Sequence, residues 1–167
     1  PTRFNLAETK SDARVVGENL GVDFREVPIE ELRLAFHDEL PEVEGLAAEN
    51  LQARIRGVLL MSLSNQHGWL VLTTGNKSEV ATGYSTLYGD SVGGFAPIKD
   101  VPKTDVFALA RYVNAKAGRE VIPVSTIERP PSAELREGQR DDQSLLPYDV
   151  LDPVLHAYIE ERMSPQE

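Results

Sequence analysis

Apolar residues recur at helical spacing through most of the chain. The longest such pattern runs from Glu44 to about His67, and Gly68 is placed to end it. Shorter amphipathic patterns predict further helices at 6–21, 28–40, 101–118 and 147–163. Gly21 and Gly118 suit the left-handed position at two of their carboxyl ends. On the long helix, one face is expected to carry Leu51, Ile55, Val58, Leu59, Ser62 and Leu63.

Two other segments have the patterns of strands. The run WLVLTT, residues 69–74, begins apolar and does not alternate, which is typical of a strand buried on both faces of a parallel sheet. The run VDFREV, residues 22–27, alternates apolar and polar positions as a short strand does. Helices that alternate with short apolar strands predict an α/β fold, a parallel sheet flanked by helices. A chain of 167 residues is long enough for one domain, which we assign to 1–167.

Charge and composition exclude several classes of partner. The formal net charge is -10, so we expect no nucleic acid and no membrane surface as partner, because the average field repels phosphate. The chain has no cysteine, which excludes a thiolate nucleophile and a zinc site with sulfur ligands and favours a cytoplasmic location. No apolar run approaches the length of a membrane span.

The segment LTTGNKSEVATGYSTLYGD, residues 72–90, directly follows the predicted buried strand. Ligands of parallel α/β sheets bind at the carboxyl ends of the strands, and small residues there let a ligand approach the backbone. Glu79 is a candidate for holding Mg²⁺, which takes a carboxylate together with substrate phosphates. In the alternative interpretation the glycines of this segment only form turns, and Glu79 caps a helix or faces solvent. The residues alone leave both possibilities open.

Four long segments together resemble one known family. They are ENLQARIRGVLLMSLSN, LVLTTGNKSEVATGYSTLYGD, IKDVPKTDVFALARYVN and IPVSTIERPPSAELREGQRDDQSLLPYDVLDPVL. These segments resemble the synthetase domain of the NAD synthetases, in the glutamine-dependent branch. The resemblance implies an adenine-nucleotide α-hydrolase-like (Rossmann-like) fold of the ATP-pyrophosphatase type. It also implies a reaction in which ATP adenylates the nicotinate carboxylate of deamido-NAD, and ammonia then displaces AMP to give NAD.

The resemblance also implies roles for particular residues. Thr74, Lys103 and Ser132 match positions that contact ATP, and Glu79 matches a position beside Mg²⁺ and the dinucleotide. Glu79 and Lys103 are therefore the expected catalytic residues. The expected binding residues for deamido-NAD are Asn50, Arg54, Glu79, Tyr84 and Asp90.

Three of these positions have structural alternatives. Tyr84 could instead be a core aromatic residue, and Asp90 could be a turn residue. Lys103 could be a solvated lysine, but a cation at the start of a helix opposes the helix dipole, and an anion nearby would relieve that conflict. The polar segment 132–146 could be a solvated loop or a lid over the adenylate.

The sequence departs from the family pattern in ways that suggest a partial domain. The phosphate loop of the family, a Ser-Gly-Gly-x-Asp-Ser run, is not found in the 167 residues, nor is the lysine that contacts deamido-NAD near the carboxyl end. We therefore expect a fragment, inactive by itself, whose parent chain carries a glutaminase domain that supplies ammonia.

The alternative is that this chain is a catalytically inactive nucleotide-binding and dimerisation module. The long helix is the candidate homodimer interface, because its apolar stripe at Leu59, Leu60, Met61 and Leu63 is wide, although burial within the subunit would also explain that stripe. A relative of GMP synthetase is disfavoured by the segments TTGNKSE and RPPSAEL.

Overall fold

A computed structural model describes residues 1–164, which contain seven α-helices and one short 3-10 turn at Asp141–Gln143. The helices are α1 (Ala7–Leu20), α2 (Glu30–Glu39), α3 (Gly45–His67), α4 (Lys77–Thr82), α5 (Lys103–Ala117), α6 (Val124–Glu128) and α7 (Tyr148–Ile159). The five longer helices confirm those predicted from the apolar periodicity. The glycines after α1, α3 and α5 adopt left-handed φ values of 65°, 68° and 63°, as their positions predicted.

The prediction of a buried strand at 69–74 was wrong for this structure. Within the described residues this segment makes a single parallel bridge, between Leu72 and Phe95, with the Thr73 N–H donating to the Phe95 carbonyl at 2.9 Å. Leu70 and Leu72 are 66% and 52% exposed. A parallel strand is buried only when strands on its edges and helices on both faces cover it, and residues 1–164 supply one neighbouring extended segment. Residues 22–27, the other predicted strand, also form no strand.

The buried face of α3 differs from the predicted one. It consists of Gln52, Ala53, Ile55 and Gly57, whereas Val58 is 66% exposed. The turn around residues 86–92 lies on this face: a Cβ atom on Gly57 would come within 2.5 Å of the Tyr88 carbonyl oxygen. Gly57 and Ala53 therefore lie against the chain that follows α4, whereas Val58, Leu60 and Met61 are exposed.

The three helices α4, α5 and α7 pack against one another. Tyr148 and Leu151, at the start of α7, belong to the small apolar core. This packing places the first turns of α4 and α5 side by side against α7. No helix within residues 1–164 is both long enough and apolar enough to cross a membrane.

Candidate functional site

The first turn of α4 orients Glu79. The side chain of Asn76 accepts a hydrogen bond from the Glu79 N–H at 3.1 Å, and Glu79 Oε2 accepts one from the Asn76 N–H at 3.2 Å. Such a reciprocal capping box satisfies two N–H groups that have no partner inside the helix. Asn76 is only 2% exposed, so water has little access to this arrangement. The expected alternative role of Glu79 as a helix cap is therefore present, and its Oε1 atom remains for another partner.

That partner is Lys103, the first residue of α5. Its Nζ atom lies 2.8 Å from Glu79 Oε1, and each side chain is 19% exposed. The ammonium also lies 5.5 Å from the centre of the Tyr148 ring and 5.9 Å from that of Phe107. The conflict between this cation and the helix dipole is thus relieved by an anion of the protein itself. The structure brings together the two residues expected to be catalytic.

The first N–H groups of α5 are occupied by side chains from other helices. The Lys103 N–H donates to Ser78 Oγ at 2.9 Å, and the Thr104 N–H donates to Asp152 Oδ2 at 2.8 Å. Ser78 in turn donates its hydroxyl to Asp152 Oδ1. Ser78 is 1% exposed and Asp152 is 7% exposed. The start of α5 is therefore tied to both α4 and α7 by a buried polar cluster.

Asp141 anchors the polar segment 132–146. It is 5% exposed and accepts hydrogen bonds from Tyr148 at 2.9 Å and Tyr84 at 3.3 Å. Burial, followed by the nearby carboxylate of Asp141, raises the pKa of Tyr84 to about 12. Burial and the hydrogen bond to Asp141 raise the pKa of Tyr148 as well. At this point the segment is fixed rather than solvated, whereas Asp142 is exposed and pairs with Arg140.

A second group of expected residues gathers around the turn 84–90. Asn50 Oδ1 accepts a hydrogen bond from the Thr86 hydroxyl at 2.7 Å, and Arg54 Nε donates to the Leu87 carbonyl at 3.2 Å. Asp90 Oδ1 accepts one from the Thr86 N–H at 2.7 Å. Asp90 therefore has the turn role that was the alternative for it, and its second oxygen has no partner within residues 1–164. The structure brings Asn50, Arg54 and Asp90 to one turn.

Thr74 and Ser132 make no hydrogen bond to the other expected residues within residues 1–164. Thr74 is exposed in the loop before α4, and Ser132 Oγ accepts a hydrogen bond from the Glu134 N–H at 3.0 Å. Among the described residues, no hydrogen bond joins Thr74 or Ser132 to Glu79 or Lys103. Glu134 itself is 7% exposed and accepts a hydrogen bond from the Thr9 hydroxyl at 2.6 Å. The Ser132 hydroxyl therefore stabilises its own loop by accepting this hydrogen bond.

Comparison with known proteins identifies the family. The model of the NAD synthase family matches residues 1–167. This chain belongs to the NAD synthase family. The glutamine-dependent NAD(+) synthetase of Thermotoga maritima is 51% identical over 175 residues, and that of Acinetobacter baylyi is 53% identical over 172 residues. The resemblance to the glutamine-dependent branch is confirmed. These matches cover 100% of this chain but 30% and 32% of the relatives, so the chain spans less than a third of their length.

Solved structures related to the NAD synthases support the fold class. The glutamine-dependent NAD+ synthetase from Acinetobacter baumannii, in complex with adenosine diphosphate, has a TM-score of 0.75 and 44% identity, covering 98% of this chain and 30% of that chain. The NMN synthetase from Francisella tularensis has a TM-score of 0.85 and 27% identity, covering 94% of this chain and 64% of that chain. The NAD synthetase fold is of the Rossmann-like adenine-nucleotide α-hydrolase type. The expected fold family is confirmed, although the helices dominate the described residues and the parallel sheet is reduced to one bridge.

Several residues that surround the Glu79–Lys103 pair were not among the expected site residues. The pattern NKSE, residues 76–79, matches the capping-box signature of a polar residue followed three positions later by Glu, and would have identified Asn76. Asp141, Tyr148 and Asp152 had no comparable local signal, because their partners lie on other elements.

The residues present also bear on the expected Mg²⁺. Within residues 1–164, no group of three or more His, Cys, Asp or Glu side chains is placed to hold a metal ion. The carboxylate of Glu79 pairs with the Lys103 ammonium through Oε1. It fits a metal that takes most of its ligands from substrate phosphates and water.

Proposed function

We propose that the full-length protein carrying this chain is a NAD synthetase. In this proposal ATP adenylates the nicotinate carboxylate of deamido-NAD, pyrophosphate leaves, and ammonia displaces AMP to form NAD. Membership of the family supports the proposal, and the pair formed by Glu79 and Lys103 is the observation that carries it. Such a displacement needs positioning and charge neutralisation more than a protein nucleophile.

Lys103 is the proposed ligand of the ATP phosphates. The N–H groups of Lys103 and Thr104 are already bonded to Ser78 and Asp152, so the start of α5 cannot also offer them to phosphate. Within residues 1–164 the ammonium group, by contrast, has one ion-pair partner, Glu79, and the Lys103 side chain is 19% exposed. Thr74, exposed before α4, and Ser132 are proposed as further ATP contacts.

Glu79 is proposed to hold the Mg²⁺ that accompanies ATP. One carboxylate is a sufficient contribution from the protein, because Mg²⁺ keeps several waters and binds substrate phosphates directly. When bound, the ion would neutralise part of the negative charge of the phosphates. Oε2 accepts the Asn76 N–H and Oε1 pairs with the Lys103 ammonium, so in this proposal Oε1 turns to the ion when Lys103 binds the ATP phosphates instead.

The turn 84–90 is the proposed contact surface for deamido-NAD. Asn50 uses its carbonyl oxygen on Thr86, and its side-chain NH₂ has no partner within the described part of the chain. Arg54 uses only Nε, and its two terminal nitrogens have no hydrogen-bond partner there. Together with the second oxygen of Asp90, these groups offer donors and an acceptor to a sugar or phosphate. Tyr84 borders the same turn, although its hydroxyl is committed to Asp141.

Partners outside the chain complete the proposal. A glutaminase domain of the parent chain would release ammonia from glutamine, and the protein would act in the cytoplasm.

α3 is the proposed homodimer interface, because Leu60 and Met61 are 45% and 36% exposed on it. Sedimentation velocity of the full-length protein is expected to give a dimer that Leu60→Glu weakens. A wild-type monomer at high concentration would contradict this interface.

The second candidate function is a nucleotide-binding and dimerisation module without turnover, for this chain in isolation. The exposure of Leu70 and Leu72 favours it, since an uncovered apolar segment indicates that the site is incomplete within these residues.

The deciding experiment incubates ATP, deamido-NAD and ammonia with the full-length protein and, separately, with residues 1–167. NAD, AMP and pyrophosphate are expected in equal amounts from the full-length protein only. Their absence from the full-length reaction would reject the proposed function, and turnover by residues 1–167 would reject the module.

A further inference from the structure

The start of α5 lacks a cap from its own segment. A helix leaves its first N–H groups without partners inside the helix, and a Ser, Thr, Asp or Asn just before it usually accepts one of them. Here that position is Pro102, whose side chain offers no acceptor. The acceptors come instead from other helices. Ser78 Oγ on α4 lies 2.9 Å from the backbone nitrogen of Lys103, and Asp152 Oδ2 on α7 lies 2.8 Å from the backbone nitrogen of Thr104.

The carboxylate of Asp152 is fully used by this arrangement. Oδ1 accepts the hydroxyl of Ser78, and Oδ2 accepts both the N–H of Thr104 and its hydroxyl, the latter at 2.7 Å. A buried carboxylate is costly unless donors surround it, and these donors include the positive end of a helix. The residue is 48 positions from Thr104 in the chain, so the cap links α7 to the site.

The cluster lies directly beneath the proposed catalytic pair. Ser78 is the neighbour of Glu79 in α4, and Thr104 is the neighbour of Lys103 in α5. The backbone of Lys103 is held by Ser78, while its ammonium is held by Glu79 at 2.8 Å. If the first turn of α5 moved away from α4, the ammonium would move with it. Displacements of about 1 Å in a catalytic group can cost on the order of 100-fold in rate.

We infer that Asp152, acting with Ser78, is a positioning residue that holds Lys103 beside Glu79 for adenylation, an inference that rests on the proposed function. Asp152 meets neither substrate nor metal in this role. Its carboxylate fixes the first turn of α5, and through that turn it fixes the direction in which the Lys103 side chain leaves the backbone.

A double-mutant cycle in the full-length protein tests the inference. The measured rate is ATP–pyrophosphate exchange in the presence of deamido-NAD, as kcat and KM for ATP. Asp152→Asn alone is expected to lower kcat/KM by about 10- to 100-fold, mostly through kcat. In the Lys103→Ala background the same change is expected to cost less than about threefold, because the residue it positions is gone. Equal fold losses in both backgrounds would show that Asp152 serves only the fold, and would overturn the inference.

Asp105→Asn is the matched control. Asp105 lies in the same first turn of α5, is exposed, and has no side-chain partner among residues 1–164, so wild-type kinetics are expected. A loss equal to that of Asp152→Asn would assign the effect to helix charge and overturn the inference. If Asp152→Asn fails to fold by circular dichroism, Ser78→Ala enters the same cycle and is judged by the same two outcomes.

The cycle also separates this inference from the proposed function. Absence of exchange in the wild-type protein would reject the proposed function. Normal exchange in Lys103→Ala would reject Lys103 as an ATP ligand and, with it, the positioning role, but would leave the NAD synthetase proposal standing. Impaired exchange in Lys103→Ala, combined with equal losses from Asp152→Asn in both backgrounds, would reject only the positioning role.

Discussion

The Nζ atom of Lys103 lies 2.8 Å from Oε1 of Glu79, although the residues are 24 positions apart. The pair joins the first turns of α4 and α5, and a different interaction fixes each member. A capping box with Asn76 orients Glu79, whereas backbone bonds to side chains of α4 and α7 hold the start of α5. Each side chain is 19% exposed, so salt screens this pair less than it screens a surface ion pair.

Glu79→Gln should separate catalysis from stability. The amide oxygen of Gln can still accept the Asn76 N–H, so the cap is retained, but the negative charge facing Lys103 is lost. We expect ATP–pyrophosphate exchange by the full-length protein to fall on the order of 100-fold, whereas the melting temperature should fall only modestly, because the ion pair with Lys103 is lost but the cap is kept. The exposed residue Glu137 provides the control Glu137→Gln, which should behave as wild type. Normal exchange in Glu79→Gln would remove Glu79 from the site.

Asn76→Ala should mainly affect stability. The mutation removes a buried side chain that accepts the Glu79 N–H at 3.1 Å, and loss of such a cap typically costs about 1 kcal/mol. The expected result is a lower midpoint in urea denaturation of the full-length protein. Asn65→Ala, at an exposed position of α3, should leave the midpoint unchanged. Equal midpoints for both variants would show that the cap contributes nothing.

The two tyrosines bonded to Asp141 predict a loss of stability at high pH. The pKa of Tyr84 is raised to about 12 and that of Tyr148 is raised too, whereas both are near 10.0 in the unfolded chain. Between these values the unfolded state has already lost its tyrosine protons while the native state keeps them. The contribution of these protonated tyrosines to the free energy of unfolding is therefore fully present below pH 10 and falls as pH rises toward 12.

Thermal unfolding on both sides of pH 10 measures this effect. Tyr148→Phe should lower the melting temperature at neutral pH, because a buried hydrogen bond to Asp141 is lost, but should also reduce the further fall at high pH. Tyr158→Phe is the control, since Tyr158 is 65% exposed on the same helix. An identical high-pH fall in both variants would contradict the assignment to Tyr148.

Arg54→Ala should affect binding more than chemistry. Arg54 holds the Leu87 carbonyl through Nε and keeps two terminal nitrogens for an anionic or hydroxylated ligand. We expect KM for deamido-NAD to rise by about 10-fold or more, with kcat changed less, because a contact made equally in ground and transition states is removed. Arg111→Ala, at an exposed position of α5, serves as the control. A fall in kcat with unchanged KM would place Arg54 in the chemical step instead.

The apolar face of α3 and the strand at 69–74 show where local patterns were insufficient. Periodicity predicted α3 with its end at Gly68, but of the predicted face only Ile55 is buried, and Ala53 is buried instead because Gly89 packs so closely that a Cβ on Gly89 would come within 2.7 Å of the Ala53 Cβ. The apolar run at Leu70 has the composition of a buried strand, yet burial requires neighbouring strands, and the described residues provide one bridge.

By itself, the sequence determined the five longer helices, the glycine ends of three of them, the family and the chemical types of the candidate residues, but not the short helices α4 and α6. Each of these depends on residues within a few positions of one another, or on long matched segments. Only the tertiary structure decided that Glu79 is the anion opposite Lys103, that Asp152 caps α5, and that Asp141 is buried between two tyrosines. The reason is physical: these contacts exist only because α4, α5 and α7 pack together, and no short-range pattern encodes which side chains that packing will bring into reach.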